Sequence, residues 1–442
     1  MENLLDKIER LEQLHDRLDP ELVERKKVRL GLRKPDGTGV VAGITSKGQV
    51  VAYKTKNGKK VQIPGKLIYC GYDVEEIVEN VERDGRFGFE ETIYLLLAGE
   101  LPTAEDMAGL NEELGARRAL PDMAKEILSF NSRNDDQMGA LHTAVSSLHK
   151  FDKNPRSTDI RDVTSQCVDI IAKFPTIIAY NYQVMKANGH ATPEFIEPRT
   201  DLNTAQNFLY MISGKVPDDK IAKVFDLCLI LHAEHGGGNN STFTVRCVSS
   251  AQTDTYMAIS AGIASLAGHL HGGANEAVMN MMKFIKEGVK DWKDNQEIHQ
   301  FLREIMINKR GDGTGKIFGM GHAVYTVSDP REIILKAKAM ELAKQAGRLD
   351  EFWLYSKVAD EAVKVIESIK GKKICPNVDF YSGFVYDMLG LEQELFTPIF
   401  AMSRVSGWAA HRIEEIIQGK LIRPAYVSSL PGTRDYIPLD KR

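Results

Sequence analysis

From Thr255 to Asn275 the chain contains no Asp, Glu, Lys or Arg. A helix without charge on any face must be buried or lie in lipid, and this stretch is long enough to raise the second possibility. Ser260, Ser265, His269, His271, Asn275 and four glycines make it a poor membrane span. It predicts a buried helix followed by a turn. The surrounding sequence agrees: from residue 74 onward apolar residues recur at three- and four-residue intervals in segments such as VEEIVENVE, FEETIYLLLAGELPT and REIILKAKAMELAKQAG. The fold expected is mainly α.

Two regions depart from that pattern or extend it. Leu4, Ile8, Leu11 and Leu18 mark an amphipathic N-terminal arm. Residues 35–70 hold short β-branched runs broken by Ser-Lys-Gly and Lys-Asn-Gly, which predict a small element of β hairpins. A chain of 442 residues is expected to form two domains. Its net charge of −4 gives no global attraction to nucleic acid or to anionic membrane, so any anion site must be a local arginine cluster. The five cysteines show no C-x-x-C spacing. The N-terminus has acidic residues throughout and no apolar signal segment, so a cytoplasmic location is expected.

Three glycine-flanked imidazole sites could carry chemistry: LHAEHGGGNN with His232 and His235, GHLHGGANE with His269 and His271, and GMGHAVY with His322. Glycine lets a ligand approach the backbone closely. His232 and His269 read as core residues, and His15, His142, His149, His190, His299 and His411 as structural or surface. H-x-x-H and H-x-H also suit metal ligation, but no H-E-x-x-H occurs, and no metal is expected. KRGDGTGKIFGMGHA fails the phosphate-loop pattern, since Arg310 replaces its first glycine and Ile317 follows Lys316. Arg331 in SDPRE, at a helix start set by Asp329-Pro330, Arg404 in AMSRVSG and Arg423 in LIRPAY lie in breaks suited to clamping carboxylates. Asp379 in NVDFYSG reads first as a helix N-cap. Its other reading is a carboxylate base shielded by Phe380 and Tyr381.

In their joint order and spacing, these motifs resemble the citrate synthase family along nearly the whole chain. GLRKPDGTGVVAGITS and LIYCGYDVEEI open the match, and FAMSRVSGWAAH and LIRPAY close it. The resemblance implies a mainly α, two-domain citrate synthase-like helical fold with a small N-terminal β element. The large domain would comprise residues 1–278 and 386–442, with a small domain at 279–385. It implies an acyltransferase that condenses acetyl-CoA with oxaloacetate and hydrolyses the thioester to citrate and CoA, without a cofactor. The alternative is 2-methylcitrate synthase acting on propionyl-CoA, or both activities. A metal-dependent hydrolase built on His232, His235, His269 and His271 is a competing class, and a non-catalytic scaffold another.

By the same resemblance His271, His322 and Asp379 are catalytic, and His235, Arg331 and Arg404 contact oxaloacetate. Arg423 reaches the neighbouring subunit's site in a homodimer. Ile317, Gly319 and Asn377 fall at CoA contacts. Relatives often carry a basic residue just after the GHA triplet, where this chain has Val324, Tyr325 and Thr326, so Lys370, Lys372 and Lys373 are the substitute candidates for the CoA phosphates. Gly236 stands where many relatives have Glu. His271 should be uncharged, since it precedes a helix opening at Asn275–Glu276 whose positive end disfavours a second positive charge.

Overall fold

The computed structural model describes residues 3–15, 19–130, 136–187, 193–430 and 433–442. Leu18, His190 and Pro431 lie outside them. The chain forms two compact units. One joins residues 1–43 to 422–442 and holds the helices Leu4–His15 and Pro20–Arg25, with Leu4, Leu5, Ile8 and Leu14 exposed. The expected arm is therefore helical over 4–15.

The other unit, residues 44–421, contains a small antiparallel sheet and most of the helices. Strands β1 (Gly48–Lys56) and β2 (Lys59–Tyr69) form a hairpin, and β3 (Tyr72–Asp73) pairs with β2. Asn57 and Gly58 turn it with φ of 51° and 73°, the left-handed pair that a two-residue hairpin turn requires. Ser46-Lys47-Gly48 makes no second hairpin: Gly48 starts β1 opposite Tyr69. The register breaks between Val51 and Tyr53, so Pro64 falls in a bulge where its missing N–H interrupts no ladder.

The uncharged stretch resolves into the helix Thr255–Ala267 and a turn through Gly273. Tyr256, Ile259, Ile263 and Leu266 are buried, whereas Met257, Ala264 and Ala267 are exposed, so one face of this helix remains open. Among the described residues no helix is long and apolar enough to cross a membrane.

At the centre runs the helix Phe396–Gln418, buried along most of its length and packed on Ile160–Ala187, Asn240–Ser250 and Asp219–His232. Arg404 sits inside this helix and not in a break, which corrects the reading of AMSRVSG. The small residues that suggested a break serve close packing instead. Ser403 Oγ donates to Leu229 O, and Ser406 Oγ donates to Ser403 O at 2.6 Å, so both buried hydroxyls find an acceptor. The expected boundaries at 279 and 385 both fall within this second unit.

Candidate active site

His271 lies in the turn just before the helix Ala274–Gly288, and Asp379 is the first residue of the helix Asp379–Met388. These two helices pack together within their first turns, where Asn275 Nδ2 donates to Ser382 Oγ at 2.6 Å. Gly383 makes that approach possible, since a Cβ there would lie 2.3 Å from Asn275 Oδ1. The imidazole and the carboxylate are thereby carried at neighbouring helix ends.

The surroundings of His271 fix its tautomer. Ser241 N, in the first turn of the helix Asn240–Ser250, donates to Nε2 at 3.3 Å, and Ser241 Oγ lies 3.0 Å from the same atom. A backbone N–H cannot accept, so Nε2 is bare and the proton resides on Nδ1. Burial, followed by the charge of Arg404, lowers the His271 pKa to about 4, so the ring is a neutral N–H donor at pH 7. The expected neutrality holds, with a different main cause. The helix end that acts directly is that of Asn240–Ser250, whose unpaired N–H the imidazole accepts.

Asp379 is not the N-cap that the pattern favoured. Asn377 Oδ1 accepts from Asp379 N at 3.0 Å, which leaves the Asp379 carboxylate uncommitted to the cap. The group is half-buried, and loss of solvent raises its pKa to about 6 against the lowering fields of Arg331 and Arg404. It is a stronger base than an exposed aspartate, still ionised at neutral pH.

Asn377 also secures the loop that carries His322. Its Nδ2 donates to Gly321 O at 2.9 Å, its backbone N donates to Gly319 O at 2.9 Å, and Met320 bridges to Pro376. Gly319 cannot carry a side chain here, because a Cβ would lie 2.8 Å from Phe380 and Val278. Val324 N and Tyr325 N both donate to His322 Nδ1 at 3.0 Å, so that ring carries its proton on Nε2. His322 stacks on Tyr325 at 4.4 Å between centroids and meets His235 edge-on at 4.9 Å.

The two arginines are held differently. Arg331 is buried and gripped by Asp329, which accepts from Nε at 3.0 Å and from Nη2 at 2.7 Å. Asp329 also caps the helix Pro330–Gln345, with Pro330 at its first position, as SDPRE predicted. Arg404 is fully buried and donates through Nε to His232 O at 2.7 Å, while Nη1 and Nη2 have no partner. Burial lowers its pKa to about 10. The Nε2 of buried His235 is likewise unpartnered. A guanidinium buried with two open nitrogens is costly unless an anion completes it. The fields of Arg331 and Arg404 both act on His235 and Asp379, so these side chains share one charged locus.

The remaining candidates fall elsewhere. Arg423 is exposed in the first unit. Lys370, Lys372 and Lys373 are exposed around the end of the helix Leu349–Lys370, and Ile317 is buried. His232 is core, packed on Phe400 at 4.7 Å, but His269 is exposed and not part of the core. The sequence reading missed Ser241, which orients His271, and Asn377 as the brace of the site.

A family model described as "Citrate synthase, C-terminal domain" matches residues 38–425. Citrate synthase of Haloferax volcanii is 37% identical over 385 residues, 86% of this chain and 93% of that protein. The 2-methylcitrate synthase of Shewanella oneidensis is 35% identical, over 85% of this chain and 92% of its own. The citrate synthase of Thermoplasma acidophilum, solved as a ternary complex with carboxymethyl coenzyme A and oxaloacetate, superposes with a TM-score of 0.76 at 27% identity, covering 94% of this chain and 99% of that one.

Proposed function

The chain belongs to the citrate synthase family, and we propose that it condenses acetyl-CoA with oxaloacetate and hydrolyses the resulting thioester to citrate and CoA. The observation that carries this reading is Arg404, whose two buried, unpartnered nitrogens call for a carboxylate. With Arg331 beside it and Arg423 from a second subunit, the site suits a dianion.

Asp379 removes a methyl proton from the acetyl thioester while His271 Nδ1–H donates to the thioester oxygen, where negative charge develops. A neutral donor is required, because an imidazolium would give up its proton to the solvent or to Asp379. The enolate carbon attacks the ketone of oxaloacetate. His322 Nε2–H donates to the ketone oxygen and protonates the alkoxide as the new carbon–carbon bond forms. Water then cleaves the thioester and releases CoA. Holding both reactants in register supplies about 7–11 kcal/mol of the barrier reduction. Residues 279–385 act as the small lobe that closes over the site, with the glycine-rich segments 236–238 and 311–321 as pivots. The CoA moiety runs past Ile317, Gly319 and Asn377, with Lys370, Lys372 and Lys373 available to its phosphates.

The 2-methylcitrate synthase relative supports propionyl-CoA as a second substrate, since one extra methylene separates the two by only about 1–3 kcal/mol. Release of CoA thiol with each acyl-CoA decides. A higher kcat/KM for acetyl-CoA supports the proposed activity, and a higher value for propionyl-CoA replaces it.

A further inference from the structure

We propose that Glu234 is a positioning residue for oxaloacetate: anchored through His411 to Arg246, its carboxylate supports the charge of Arg404 while leaving that arginine's terminal nitrogens open. The inference rests on the assigned reaction and adds a part to it.

The anchor begins at Arg246, which is buried and forms ion pairs with Glu414 at 2.5 Å and Glu415 at 2.8 Å and donates to Gln418 Oε1 at 3.0 Å. Glu414 is itself held by Ser46, whose N and Oγ donate to its Oε1 at 2.8 and 3.0 Å. Arg246 Nη1 donates to His411 Nδ1 at 2.9 Å, so the proton of that ring sits on Nε2. His411 Nε2 then donates to Glu234 Oε1 at 3.0 Å. Every group from Arg246 to Glu234 is fixed in direction by its neighbour.

Sterics hold the other end. Arg404, Gly407 and His411 lie three and then four residues apart on one helix, which places them on one face. A Cβ at Gly407 would stand 2.4 Å from Ala233 O and 2.5 Å from Glu234 Oε2. A Cβ at Gly48 in β1 would stand 2.5 Å from Glu234 Oε1. The carboxylate therefore occupies a cradle that only glycines leave vacant.

Within it Glu234 Oε2 has no hydrogen-bond partner, and neither have Arg404 Nη1 and Nη2. The two charges attract without joining, because His232 O holds the guanidinium through Nε. A direct pair would engage the fork of Arg404, as Asp329 engages Nε and Nη2 of Arg331. A counter-charge at one remove reduces the cost of burying Arg404 and preserves its fork.

The test measures oxaloacetate affinity by calorimetry, with KM for both substrates and kcat, in the wild type, E234Q, E234D and H411N. Glutamine keeps the size and an acceptor for His411 but removes the charge. E234Q should raise the Kd and KM for oxaloacetate about tenfold or more, with acetyl-CoA KM unchanged and kcat at saturation within about threefold. H411N should move the same constants less, and E234D should recover part of the loss. If Glu234 were only a nearby negative charge, E234Q would bind the dianion more tightly. That result, or an unchanged affinity, overturns the proposal, as does a parallel rise in both KM values. Wild-type protein that fails to bind oxaloacetate overturns the assigned reaction instead.

Discussion

Asp379 shows how a single side chain is tuned by what its neighbours do. Asn377 takes over the capping role, so the carboxylate is left half-buried with its pKa raised to about 6. Turnover should fall as pH drops through about 6 and Asp379 protonates, while His271, at about 4, stays neutral throughout that range. A pH profile of kcat/KM checks this. The same shift means that the folded state binds this proton more tightly than the unfolded state does. Ionised Asp379 therefore costs stability above pH 6, and the cost fades as pH falls toward 4. Asp379→Asn should raise stability at pH 7 by about 1–3 kcal/mol, and should lower kcat by about a thousandfold. Urea unfolding and thiol-release assays measure the two effects. From NVDFYSG alone the cap was the natural reading, because nothing in that string shows that Asn377 does the capping. His411 was equally hidden: its importance lies in being seven residues from Arg404 on one face, opposite a turn far away in sequence.

Among the elements, the β1–β2 hairpin does more for the site than its size suggests. Its bulge directs Gly65 N to Ser328 O at 3.1 Å, and Tyr325, which stacks on His322, donates through its hydroxyl to Lys66 O at 3.3 Å. Gly65 must lack a side chain, since a Cβ would lie 2.3 Å from Ser328 O and 2.5 Å from the Tyr325 ring. Gly65→Ala should destabilise the protein by about 1–3 kcal/mol and raise KM for oxaloacetate, because the displaced loop carries His322 and leads to Arg331. Denaturant unfolding with steady-state kinetics tests both. The hairpin turn was legible in Lys-Asn-Gly, as was the helix start at Asp329-Pro330, since both depend on local backbone chemistry. The placement of Arg404 was not. Serine and glycine around it suggested a break, whereas tertiary packing uses them to bring helices close.

At the scale of the whole molecule, the uncharged stretch that first pointed to a helical core gives a helix with one open face, Met257 being 47% exposed. An apolar face of that kind supports the proposed dimer, as does the exposed tail carrying Arg423. Mixing inactive Arg423→Ala subunits with inactive His271→Ala subunits should restore part of the activity, because one site of each mixed dimer then has both groups. A mixture that stays inactive while exchanging subunits would remove Arg423 from the partner's site. Helical class was legible throughout the chain from periodicity. The convergence of His271, His322, Asp379 and two arginines came only through family resemblance, since no local pattern connects residues so distant in sequence.

The central claim is that a dianion held by Arg331 and Arg404 receives an enolate made by Asp379 and His271. The most direct measurement is thiol release from acetyl-CoA with and without oxaloacetate, in the wild type and in Asp379→Asn. The account predicts release only when oxaloacetate is present, one citrate per CoA, and near-complete loss in the variant. Release without oxaloacetate, or undiminished release from Asp379→Asn, would contradict it.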